Sequence, residues 1–107
     1  MRVTHALVQI AAALMAAPED RHWGYRLSDD TGVLSGALYP RLAQMLGAGW
    51  LEKKREPAGT AAGRPPRAYY TLTEKGRTEL GVLLARAATD PRFATMDLGQ
   101  YRRNGNR

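Results

Sequence analysis

Residues 33–51 read VLSGALYPRLAQMLGAGWL, and the order of apolar and polar positions in this stretch decides the fold. Leu38, Leu42, Met45 and Leu46 recur at the i, i+4, i+7, i+8 spacing that lines one face of a helix. Ser35, Gly36, Tyr39 and Arg41 then point outward near its start. A helix held by one face and polar on the other offers that second face to a partner. Gly47 and Gly49 supply residues able to end it in a left-handed turn. Pro40 lacks a backbone donor and crowds the carbonyl four residues back, at Gly36. We therefore expect an irregular first turn, or a helix beginning at Tyr39, without a break.

Upstream lies RHWGYRLSDDTGV, residues 21–33. A short helix fits residues 25–30, and Thr31-Gly32 marks a turn. A short helix, a glycine turn and a second, striped helix follow one another in a helix-turn-helix. Arg21, His22, Tyr25 and Arg26 occupy the part of such a module that crosses a phosphate backbone, Tyr25 being mostly core with its hydroxyl reaching out. Downstream the period changes to that of strands: LEKKRE at 51–56 and RAYYTL at 67–72, with Tyr70 and Leu72 inward. The intervening PAGTAAGRPP has no apolar periodicity and reads as a mobile hairpin tip. Lys53, Lys54, Arg55, Arg64 and Arg67 load this hairpin with cations against Glu52 and Glu56, a pattern suited to phosphate contact.

The ends of the chain supply the scaffold. Thr4 is placed to cap a helix over residues 4–17, in which Val3, Leu7, Ile10 and Leu14 form an apolar line and His5 lies at the surface. Its alanines permit close approach of another backbone, within the monomer or between subunits. Thr73 caps a second helix, residues 74–88, with Leu80, Leu83, Leu84, Ala87 and Ala88 at helical spacing; it should pack on the first helix. Asp90-Pro91 can open a short helix over residues 91–98 that Gly99 stops. Phe93, Met96 and Tyr101 are too apolar for a solvated tail, whereas YRRNGNR at 101–107 reads as basic and disordered. The expected architecture is mainly α with a small β-hairpin, a winged helix-turn-helix. Residues 1–90 form the domain with its N- and C-terminal dimerisation helices, and 91–107 a short helical segment and tail.

Composition narrows the function. A chain of 107 residues suits one small domain with a limited core. Its formal charge of +6 favours a polyanion, double-stranded DNA first, with a merely solvated basic surface as the equal alternative on composition alone. There is no cysteine, which excludes disulfides, thiolate metal sites and cysteine nucleophiles. The two histidines fall in different elements, no carboxylate pair stands at ligand spacing, and the glycine-rich tip lacks the lysine of a phosphate loop. Enzyme activity, a metal and a cofactor are therefore not expected. The apolar N-terminal run is interrupted by His5 and Gln9 and falls short of the ~20 residues of a membrane span. We read it as a folded helix of a cytoplasmic protein.

Three strings together, WGYRL, TGVLSGALYPRLAQMLGAGWLEK and GRPPRAYYTLTEKGR, resemble the PadR family of winged-helix transcriptional regulators over residues 23–77. Gly-Tyr, Leu-Tyr-Pro and Gly-Arg-Pro in this order carry the resemblance; Leu-Thr-x-x-Gly is shared with other winged helices. The resemblance implies a homodimeric repressor on a palindromic operator. It implies DNA contacts from Ser35, Tyr39 and Arg41 on the recognition helix, Tyr25 before it, and Lys54, Arg64 and Arg67 on the wing. Many relatives dimerise through a long C-terminal helical domain, whereas the sequence here has one full helix and a short segment after the wing. Dimerisation is thus expected from the first helix (Leu7, Ile10, Leu14), the helix after the wing (Leu80, Leu83, Leu84) and the Phe93 segment. Effectors in the family often bind at the dimer interface, and no residue here designates one. A winged-helix protein-interaction or architectural DNA-binding module of a recombination complex is the second reading.

Overall fold

The computed structural model describes residues 1–59 and 63–101. The centre of the hairpin tip, read above as mobile, and most of the basic tail lie outside the described residues. In chain order the elements are α1 (His5–Ala16), β1 (His22–Trp23), α2 (Gly24–Thr31), α3 (Ser35–Gly47), β2 (Leu51–Arg55), β3 (Ala68–Leu72) and α4 (Glu74–Ala87). Two 3-10 turns follow, Pro91–Phe93 and Gly99–Tyr101. The protein is α+β, with helices packed on a three-stranded antiparallel sheet.

The core is built from the expected stripes. Leu7, Val8, Ile10, Ala11 and Leu14 of α1 are buried with Leu38, Leu42 and Met45 of α3 and Leu80 and Leu84 of α4. Thr4 caps α1, its hydroxyl accepting from the Leu7 amide at 3.2 Å. Arg77 Nη1 reaches the Glu19 carboxylate at 2.6 Å, tying the turn after α1 to α4. That hydrogen bond and charge hold Glu19 below the ordinary carboxylate range.

The helix-turn-helix closes through short polar contacts. Gly32 takes φ +76°, the left-handed conformation that ends α2. The Thr31 hydroxyl accepts from Val33 N at 3.0 Å, and Ser28 Oγ donates to the Val33 carbonyl at 2.8 Å. As expected, Pro40 does not break α3; the helix begins at Ser35, not at Tyr39, and runs continuously with Pro40 inside. The Leu34 carbonyl accepts from both Ala37 N (2.9 Å) and Leu38 N (2.8 Å), so the helix is nucleated before the proline is reached. The ring's crowding falls on Gly36, which is exposed and has open space where a Cβ would stand.

At its other end α3 stops in a Schellman motif. Trp50 N donates to the Met45 carbonyl at 2.9 Å, Gly49 N donates to the Leu46 carbonyl at 3.0 Å, and Gly49 has φ +80°. Gly47 stays helical, so the left-handed position belongs to Gly49. Thr73, the cap of α4, ties this end to the next helix: its hydroxyl accepts from Gly76 N at 2.9 Å and donates to the Gly49 carbonyl at 2.6 Å. Gly76 sits so close to the Trp50 backbone that a Cβ there would collide with its carbonyl.

The sheet differs from the expected hairpin by one strand. β3 pairs with β2 from Leu51↔Leu72 to Arg55↔Ala68, and on its other edge with β1 through His22↔Tyr70 and Trp23↔Tyr69. Two residues carry no readable period, so β1 escapes a pattern search. Tyr69, beside Trp23 of β1, is buried as well as the expected Tyr70 and Leu72. Trp23 packs on the Tyr69 ring at 5.0 Å between centroids, and the Arg21 guanidinium lies 4.7 Å from the same ring. After α4, the expected helix over residues 91–98 is replaced by the single 3-10 turn Pro91–Phe93, and Gly99, expected to stop it, begins the second turn. The segment is held from the side: Arg92 Nη1 donates to the Val3 carbonyl at 3.3 Å, and His5 Nε2 donates to the Arg92 carbonyl at 2.8 Å. Phe93 and Leu98 are buried against the core.

Candidate nucleic-acid interface

α2, α3 and the base of the wing meet at a shallow cleft of about 360 Å³ lined by Gly24, Tyr25, Tyr39, Lys53, Arg67, Ala68 and Tyr70. Tyr39 reaches it from α3, one helical turn from the buried Leu42, and its ring rests on the backbone of Gly24. A Cβ at Gly24 would overlap the Tyr39 hydroxyl and lie 2.9 Å from two ring carbons. The glycine that opens α2 is therefore the seat of the recognition-helix tyrosine. Tyr25 follows on the exposed side of α2, with the Arg67 guanidinium 4.9 Å from its ring centroid. Tyr25, expected to be mostly core, is 48% exposed because it lies on the outer side of α2, and Tyr39 is 45% exposed. Tyr70 forms the floor; burial, and secondarily the Tyr39 phenol, raise its pKa above the ordinary tyrosine value, keeping it a proton donor.

The arrangement suits a phosphodiester. Phenolic hydroxyls and cations donate to phosphate oxygens, and donors from separate elements around one point fix the register of a duplex. Ser35 is exposed at the start of α3. Arg41 is only partly exposed, and its Nη1 donates to the Ala37 carbonyl at 3.0 Å, so its guanidinium lies along the helix.

The wing cations do not form one patch. Strand alternation puts Lys53 across from Tyr70, on the cleft side, and Lys54 across from Tyr69, on the opposite side near Trp23. Lys54 Nζ lies 3.7 Å from Glu52. Arg55 Nη1 donates to the Pro66 carbonyl at 3.1 Å. Arg64 is paired with Glu56 at 2.9 Å, and the same carboxylate accepts from Arg67 N at 2.8 Å. These two hydrogen bonds hold Glu56 below the ordinary glutamate range. Glu56 thus organises the base of the wing, a role hidden in the sequence because an acid within a basic run reads as mere dilution of charge. Gly24 and β1 are hidden too; Gly24 is signalled only by its place before Tyr25.

Two other expected assignments change. His22 is buried, with its Nε2 donating to the Ala17 carbonyl at 2.9 Å, and so turns away from any backbone-facing role. Of the residues expected at a dimer interface, Leu7, Ile10, Leu14, Leu80, Leu84 and Phe93 are 0–1% exposed within the single chain. α1, α4 and the C-terminal segment use those side chains to close the monomer core, and a second copy can touch only the partly exposed Leu83 of that set. Among the described residues no group of His, Asp or Glu is placed to hold a metal ion, and no helix is long and apolar enough to cross a membrane.

The fold and this cleft define a winged helix-turn-helix protein. The sequence profile of the transcriptional regulator PadR-like family matches residues 14–82, and the chain belongs to that family. Its members are DNA-binding transcription regulators, which is the class of this protein. Similar solved structures share the fold. A PadR family transcription regulator from Clostridium difficile is 18% identical, with 90% of this chain and 100% of that one covered and a TM-score of 0.67. The smu.1704 protein of Streptococcus mutans is 23% identical over 96% of this chain and 97% of that one, TM-score 0.63. A PadR-like transcription factor from Bacteroides fragilis is 24% identical over 77% and 81%, TM-score 0.59. No curated protein matches the sequence.

Proposed function

We propose that this regulator is a repressor that binds a palindromic operator as a homodimer. The observation that carries the DNA-binding part is the convergence of Tyr25, Tyr39, Lys53 and Arg67, from α2, α3 and both sides of the wing, on one cleft beside the exposed start of α3. In this reading the cleft grips a backbone phosphate, Ser35 and the first turn of α3 enter the major groove, and the base of the wing lies against the flanking backbone. The dimer rests on family resemblance and on the apolar surface left after the core is closed. Val82 is 45% exposed on α4 beside Leu83, and that patch suits a second copy better than the buried leucines do.

Selection from random duplexes tests the reading. Recovery of an inverted repeat, with half-sites about one helical turn or a multiple apart, supports a dimeric operator binder. Recovery of no sequence at low salt overturns it and favours an architectural or protein-interaction module. Sedimentation at micromolar concentration should show a dimer without DNA. Transcription from a template carrying the selected site over a promoter should fall when the protein is added, and a rise would make it an activator.

A further inference from the structure

The side chain at the start of α3 has no structural reason to be apolar. Leu34 is 77% exposed, the highest value among the large apolar side chains of the described residues. It occupies the N-cap of α3, where Ser, Thr, Asp or Asn would hydrogen-bond a first-turn amide, and it makes no side-chain cap bond. Leucine here therefore costs the helix a cap and leaves apolar surface in water.

Its backbone is nevertheless clamped on both sides. The Thr31 hydroxyl and Ser28 Oγ hold the amide and carbonyl of Val33, Val33 is itself buried, and the Leu34 carbonyl accepts from Ala37 N and Leu38 N. A side chain projecting from this fixed backbone, next to exposed Ser35, sits where a recognition helix meets base edges. In the major groove the apolar group at base edges is the thymine 5-methyl. We propose that Leu34 is a specificity-determining residue that reads a thymine methyl in each half-site of the operator. The proposal rests on the reading of α3 as the base-reading helix.

The test uses the full chain and the duplex recovered by random selection. Each thymine of the half-site is replaced in turn by uracil, which removes only the methyl group. At one position, wild-type affinity should fall about fourfold, the factor that burial of one methyl group carries. The Leu34→Ser variant should bind the thymine and uracil duplexes equally while its thermal midpoint stays at or above that of wild type, because serine restores a cap. Wild type indifferent to every uracil substitution, or Leu34→Ser retaining the fourfold preference, overturns the role of Leu34 and leaves the operator reading standing. Failure to recover any preferred sequence removes both.

Discussion

The Tyr39 ring lies on the backbone of Gly24, with no room for a Cβ between them. Gly24 and Tyr39 stand fifteen residues apart, and the motifs Gly24-Tyr25 and Leu38-Tyr39-Pro40 are thereby one structural unit in which the first makes space for the second. Replacing Gly24 by alanine forces Tyr39 aside, and since Tyr39 is half exposed it can swing away at little cost to the fold. Alanine also favours helix over glycine by about 0.5–1 kcal/mol. Gly24→Ala should leave stability within about 1 kcal/mol of wild type and weaken duplex binding about tenfold, the scale of one lost contact. Adding Tyr39→Ala should cost nothing further. Additive losses in that double-mutant cycle would mean that the two residues act separately.

Gly76 presents the opposite case. Here the obstacle to a Cβ is the Trp50 backbone carbonyl, which also accepts from Thr73 N at 3.0 Å, and a backbone in a cap junction cannot swing away. Gly76→Ala should lose about 2–4 kcal/mol of unfolding free energy in urea, as overpacking and cap disruption combine. At Gly81, on the same helix, an added methyl group would meet nothing nearer than Met15 Cε at 4.0 Å. Gly81→Ala should therefore stabilise by about 0.5–1 kcal/mol. Equal effects at the two sites would remove the Trp50 contact as the cause.

These glycines mark the limit of what the sequence reveals. The stripes of α1, α3 and α4 are legible because burying one helical face demands a period, and so are the Thr4 and Thr73 caps and the Gly32 turn. The two strands of the wing show for the same reason. Contacts between elements leave no period: His22 turned inward, Gly24 under Tyr39 and Glu56 between Arg64 and Arg67 each depend on residues brought together only by the fold. The C-terminal segment is half legible, since Asp90-Pro91 does open a turn, its carboxylate accepting from Arg92 N at 2.9 Å, while nothing extends that turn into an α-helix.

Glu56 gives the base of the wing a defined acid response. Its carboxyl pKa is lowered in the folded state by the hydrogen bond from Arg64 and then by that from the Arg67 amide. A lowered folded-state value means that the contribution is fully present above the ordinary glutamate value and is lost as pH falls through the folded one. Amide exchange of Arg67 should therefore be slower in wild type than in Glu56→Gln at pH 7, with the difference shrinking below the ordinary glutamate value of 4.5. Equal exchange of the Arg67 amide in the two proteins at pH 7 would show that the Glu56 carboxylate does not protect it.

The same pairing separates the wing cations by their effect on DNA affinity. Lys53 and Arg67 line the cleft, whereas the Arg64 charge is already met by Glu56 at 2.9 Å and the Lys54 charge faces Glu52 at 3.7 Å. A phosphate contact releases counterions, so each one lost lowers the slope of log affinity against log salt by about one unit. Lys53→Ala and Arg67→Ala should each lower the slope by that amount on operator and random duplex alike. Arg64→Ala should change it by less than half as much, although it exposes a carboxylate and loosens the hairpin. Equal slopes for Arg64→Ala and Lys53→Ala would show that the Glu56 pair opens on DNA and that Arg64 moves to a phosphate.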